Sequence, residues 1–168
     1  MDVQHMEMQD IIEFALEREV MSRRLYERLA SRTKQDDARM MFLELVSFEA
    51  EHVRIFTQAL QGEIDGLGFN VPSYLEAVEG RPFNMPGLMT EKVLKSGTMR
   101  EILPVAKKFE KTMSEFYAAV SEQSKEKPIK EAALRLSREE TTHIEYVERV
   151  EEVLRLSVDT DDGEFHAQ

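Results

Sequence analysis

The sequence predicts an all-α fold, a four-helix bundle with a long crossover connection between its second and third helices. Three observations carry this: helix breakers are scarce outside one segment, four long stretches have apolar residues at helical spacing, and the second pair of stretches repeats the first. The 168 residues include only seven Gly and five Pro, with 42% hydrophobic and 33% charged residues. Many of them are Glu, Leu, Ala, Lys, Arg and Met, the straight-chain helix formers. The length suits one domain with a core of its own.

The first helix is predicted over residues 8–32, closed by the polar run Thr33-Lys34-Gln35. The second is predicted over 36–61, with Asp36 read as its N-cap. Residues 62–97 differ in character, holding Gly62, Gly66, Gly68, Gly80 and Gly87 together with Pro72, Pro82 and Pro86. A helix of about 25 residues is about 37 Å long, so a connection of this size can run the length of the bundle and set down the second pair reversed. A structureless loop that long would be unusual, so short helices are expected within it, near 73–78 and 87–94. The third helix is predicted to follow Thr98, another N-cap candidate, and to reach Ser124. The fourth starts at Pro128, suited to a first turn, and ends near Leu156. The chain is thus expected to be one domain over 1–158, made of a hairpin (8–61), a crossover (62–97) and a second hairpin (98–156). A frayed polar tail over 159–168 is expected to follow.

The repeat has an offset of 91 residues and needs no gap: Glu19 maps to Glu110, Tyr26 to Tyr117, Glu49 to Glu140 and His52 to His143. Ala15/Ala106, Leu43/Leu134 and Leu45/Leu136 also match. Each half is a helical hairpin with a Glu, a Tyr seven residues on, and a Glu-x-x-His thirty residues after the first Glu. The apolar stripes agree. They run Ile12, Leu16, Glu19, Tyr26, Ala30 in the first helix and Ala38, Met41, Leu45, Glu49, His52, Phe56, Ala59 in the second. In the third the stripe is Leu103, Ala106, Glu110, Met113, Tyr117, Val120, and in the fourth Ile129, Ala133, Leu136, Glu140, His143, Val147, Val150, Leu154. Each is interrupted by ionisable residues at the same level.

Four glutamates facing one core cannot remain bare anions, because each buried ion costs several kcal/mol and mutual repulsion raises their pKa values. Two divalent cations resolve this, since four carboxylates and two M²⁺ sum to zero. Glu and His at i and i+3 point from neighbouring positions on one helix face, so both reach one metal site. A single Glu-x-x-His in a Glu-rich helix is commonplace. Two of them, each at equal distance from a Glu and a Tyr and each on a core stripe, make Glu19, Glu49, His52, Glu110, Glu140 and His143 the predicted metal ligands. Oxygen and imidazole donors suit Fe or Mn. His5 and His166, near the termini, are given no role.

The chain has no Cys, which excludes disulfides, iron–sulfur clusters, thiolate zinc sites and a nucleophilic thiol. A net charge of −11 argues against nucleic acid or an anionic membrane as partner. No stretch approaches the apolar length of a membrane span, and residues 1–10 lack the pattern of a signal peptide, so a cytoplasmic protein is expected.

At these residues the sequence resembles the ferritin-like superfamily, and most closely its rubrerythrin-like branch. The segments that carry the resemblance are Ala15-Leu16-Glu17-Arg18-Glu19 to Tyr26, Phe48-Glu49-Ala50-Glu51-His52, Phe109-Glu110 to Phe116-Tyr117, and Glu139-Glu140-Thr141-Thr142-His143. Pro72-Ser73-Tyr74-Leu75-Glu76-Ala77 is similar to the connector of stand-alone members. The resemblance implies a di-iron centre in which Glu49 and Glu140 bridge the metals, Glu19 and His52 complete one, and Glu110 and His143 complete the other. It implies that Tyr26 and Tyr117 orient carboxylates by hydrogen bonds, and that the reduced centre is oxidised by O₂ or H₂O₂ in ferroxidase-like or peroxidase-like turnover on Fe²⁺. Rubrerythrins carry a four-Cys rubredoxin domain that this chain lacks, so the electron donor is expected to be a separate molecule. They also carry an additional Glu ligand where this chain has Met113, and the six-ligand set is instead like that of bacterioferritins. A homodimer is the expected assembly. The alternatives are an iron-storage cage subunit and a non-catalytic metal-binding module holding Mn or Zn.

Overall fold

The computed structural model describes residues 5–85 and 89–158. Its elements, in order, are α1 (Met8–Arg32), α2 (Asp36–Ala59), α3 (Gln61–Leu67), α4 (Val71–Glu79), β1 (Asn84–Met85), β2 (Met89–Thr90), α5 (Glu91–Ser96), α6 (Met99–Gln123) and α7 (Lys127–Val158). The four long helices form the bundle: α1 packs along α2, α6 along α7, and α2 meets α7 across the middle.

The apolar stripes explain why. On α6 every predicted stripe residue is buried. On α1 the buried face is broader than predicted, adding Ile11, Ala15, Val20, Met21, Ser22, Leu25 and Leu29. On α2 Phe42 and Ile55 are buried beside the predicted stripe, whereas Met41 and Ala59 are only half-buried. On α7 the stripe is buried from Ile129 to Val150, and Leu154 is half-buried.

Local chemistry sets the helix ends. Thr98 caps α6 through a capping box: its hydroxyl accepts from Glu101 N, and the Glu101 carboxylate accepts from Thr98 N. Asp36 is not a cap. It lies inside the first turn of α2, with Gln35 at the N-cap making no side-chain bond, and its carboxylate pairs with Arg39 at 2.7 Å. The second helix also ends earlier than expected, at Ala59. From Leu60 the chain turns into α3, an element the sequence pattern did not announce, which closes at Gly68 with φ +62°.

The crossover contains the expected first short helix as α4, capped by the Asn70 side chain accepting from Ser73 N and with Pro72 in its first turn. The second starts later than 87–94 predicts. An antiparallel pair, Asn84 opposite Thr90 and Met85 opposite Met89, precedes α5. Residues 87–88 of that prediction, and the predicted frayed tail over 159–168, lie outside the described residues.

The crossover lies along α1 from one end to the other. Tyr74 donates to Glu13 O at 3.2 Å, Arg24 donates to Arg81 O at 3.0 Å, and Arg32 donates to the carbonyls of Leu94 and Gly97. The chain therefore leaves α2 at one end of the bundle and enters α6 at the other, which makes α6 antiparallel to α1. That reversal brings the two halves of the repeat face to face.

Candidate metal centre

Glu19, Glu49, His52, Glu110, Glu140 and His143 are all buried, and they converge at mid-bundle. The geometry divides the carboxylates into two kinds. Glu49 turns Oε2 to His52 Nδ1 at 3.5 Å and Oε1 to His143 Nδ1 at 3.4 Å. Glu140 does the same, with Oε1 at 3.1 Å from His52 Nδ1 and Oε2 at 3.2 Å from His143 Nδ1. Glu19 approaches His52 alone, at 3.3 Å, and Glu110 approaches His143 alone, at 3.8 Å. The two imidazoles lie nearly parallel with ring centroids 5.0 Å apart.

These contacts are close, yet they leave donors and acceptors unsatisfied. Glu19 Oε2, Glu49 Oε2, Glu110 Oε2, both Glu140 oxygens and both Nδ1 atoms are buried without a hydrogen-bond partner. Such groups normally find partners; here they are aimed at one another around shared points. One ligand atom each from Glu49, His52, Glu140 and His143 lie within 4.8 Å of one another. A donor set of carboxylate oxygens and imidazole nitrogens, without thiolate, fits divalent cations of the Fe or Mn kind.

The tyrosines cross between the hairpins. Tyr26 on α1 donates to Glu110 on α6, and Tyr117 on α6 donates to Glu19 on α1. Burial, then the charge of those same glutamates, raises both phenols well above their usual range, so they stay protonated donors.

Without a cation, burial and mutual charge shift the proton affinities of Glu19, Glu49, His52, Glu140 and His143. Burial raises Glu19 to about 7 against the pull of His52. Burial, then the charges of Glu49, Glu19 and Glu110, holds Glu140 well above the carboxylate range. Burial works the same way on Glu49, but the two imidazoles outweigh it and keep Glu49 ionised. Burial would lower both histidines; the surrounding carboxylates win, raising His52 strongly and His143 to about 12.

Two residues at the centre were not singled out from the sequence. Ser22 Oγ lies 3.0 Å from Glu49 Oε1 and 3.3 Å from Glu110 Oε1. Its signal was available: it stands three residues after Glu19 and is the repeat counterpart of Met113. Glu139 Oε2 lies 3.2 Å from His52 Nε2, on the side of the ring away from the cluster. The His52 contact, more than the opposing burial, holds its carboxyl at about 2.

Residues 7–152 match the family model described as the ferritin-like domain. Comparison with curated proteins and with solved structures gave no match.

Proposed function

The chain belongs to the ferritin-like domain family, and from that premise we propose that it is a di-iron carboxylate protein that oxidises its reduced metal pair with O₂ or H₂O₂. One observation carries the reading: Glu49 and Glu140 each offer one oxygen to each histidine, whereas Glu19 and Glu110 each serve only one. That is the pattern of two bridging and two terminal carboxylates around a metal pair. In this reading Glu49 and Glu140 would serve both metals, Glu19 and His52 would help hold one, and Glu110 and His143 the other.

A ferrous pair held by these residues would supply two electrons, enough to reduce one H₂O₂ with two protons to two waters. The protein's share is to position and to insulate. Tyr26 and Tyr117 fix the terminal carboxylates by donating to Glu110 and Glu19, and the surrounding apolar side chains of Leu16, Leu45, Ala106 and Leu136, all buried in the bundle core, exclude bulk water. A separate donor molecule that returns electrons to the pair, the rubrerythrin-like branch, a homodimeric assembly and a cytoplasmic site of action belong to the same proposal. Among the described residues, no helix is long and apolar enough to cross a membrane.

Metal analysis together with titration of metal-free protein with Fe²⁺ tests this. Binding is expected to saturate near two ions per chain, and peroxide or O₂ is expected to develop ferric absorbance. Saturation at one ion, unchanged in His143→Ala, would overturn the paired site. Two ions bound without any redox response would favour the non-catalytic module.

A further inference from the structure

The repeat is faithful at the six proposed ligands and breaks at two positions that touch them. Both breaks bear on how evenly the two halves of the centre hold metal, a question that rests on the two-metal reading above.

The first break is at positions 48 and 139, which the offset of 91 makes equivalent. Glu139, 35% exposed on its side chain, places Oε2 3.2 Å from His52 Nε2 and is itself held by Arg135 at 2.7 Å. The corresponding residue facing His143 is Phe48. It stacks on the imidazole with ring centroids 5.4 Å apart and planes 18° from parallel. Both arrangements restrain a ring. Only the carboxylate also stands ready to accept a proton on Nε2, which would leave Nδ1 to a cation, and adds negative charge behind the ligand. Such partners of metal-bound imidazoles raise ligand basicity. A phenyl face does neither.

The second break is at positions 22 and 113. The Ser22 hydroxyl has one proton to share between Glu49 Oε1, the oxygen that faces His143, and Glu110 Oε1. A donated hydrogen bond draws charge from a carboxylate oxygen and leaves less for a cation. Met113, the equivalent residue, is buried and has no proton to donate. The two breaks therefore act in the same direction.

We propose that the two halves of the centre bind metal unequally, with the His52 half, backed by Glu139, filled first and the His143 half, backed by Phe48, filled at about 10- to 100-fold weaker affinity. Glu139 is a positioning residue that acts through His52.

The test is calorimetric titration of metal-free protein with Mn²⁺, with electron paramagnetic resonance followed through the same additions. Wild type should show two separate steps, with the spectrum of isolated Mn²⁺ dominating at one equivalent and a coupled pair appearing only in the second step. Glu139→Gln should weaken the first step by about 10-fold or more and draw the two together. Phe48→Glu should instead tighten the second step and leave the first in place. Both positions are partly exposed, with Phe48 at 42%, so neither substitution opens a core. Two ions of equal affinity in wild type would overturn the inference while leaving the two-metal reading intact, as would Glu139→Gln affecting only the second step. Failure to bind a second ion at all would overturn that reading and this inference with it.

Discussion

Ser22 and Met113 occupy equivalent places one turn beyond Glu19 and Glu110, and the difference between a hydroxyl and a thioether there is a difference in what the centre can tolerate. Met113 is buried to 1% exposure. Met113→Glu would put a fifth carboxylate among four that are already buried together. In metal-free protein the substitution is expected to cost about 2 kcal/mol or more at neutral pH. Two bound cations should recover most of that loss, because the added charge then has partners. Urea unfolding with and without Mn²⁺ measures both; equal losses in the two forms would place the new side chain away from the centre. The burial and convergence of all six proposed ligands and both tyrosines were legible in the sequence, because these groups fall on apolar stripes and repeat at one offset. Ser22 was missed although its place one turn after Glu19 was there to be read, since it lies off the predicted stripe and has no serine at its repeat counterpart, Met113. Glu139 was hidden because it belongs to the flank of α7 beside the stripe, and only the approach of α2 brings His52 against it.

The long helices were legible for a different reason: 24 to 32 residues each give the apolar period time to establish itself. The elements of the crossover are too short for a period to be read. α3 has seven residues, α5 has six and the strands two each. Their positions depend on contacts with α1, such as Arg32 donating to Leu94 and Gly97, that no local pattern encodes. The junction of α5 and α6 shows how tightly that crossover is set. A Cβ on Gly97 would sit 2.7 Å from Val93 O and 3.3 Å from the Ile102 side chain. Gly97→Ala must therefore shift the backbone at the entry to α6, at an expected cost of about 1–3 kcal/mol. Thr98→Ala, which removes the adjoining cap bond to Glu101 N, is expected to cost about 1 kcal/mol. Separate denaturant titrations of the two variants check this, and a neutral Gly97→Ala would mean that the junction has slack.

For the molecule as a whole, the centre couples folding to pH, and the direction follows from which state holds the protons. Glu19 rises on folding from 4.5 to about 7, so between those values the folded chain keeps a proton that the unfolded chain has lost. Stability falls as pH rises through that window, by about 3 kcal/mol at most from this one group, and the raised Glu140 acts in the same sense. His52 and His143 are also raised on folding. Their stabilisation is complete below the unfolded value of 6.5 and is lost progressively above it, for His143 until about 12. Glu49 and Glu139 are lowered, so they stabilise above 4.5 and lose that contribution as the solution becomes more acid. Metal-free protein should accordingly be most stable in mild acid and weaken toward alkaline pH. Divalent cations compete with protons for the same oxygens and nitrogens, so their binding strengthens as pH rises. Because a ligand stabilises in proportion to the logarithm of its concentration over its dissociation constant, the two trends diverge. The melting-temperature gap between Mn²⁺-loaded and metal-free protein is therefore expected to be small near about pH 5 and clearly larger near about pH 8. Scanning calorimetry of both forms across that range measures it. A gap independent of pH, or a metal-free form that gains stability toward pH 8, would mean that the protons of these six residues are not what the cations replace.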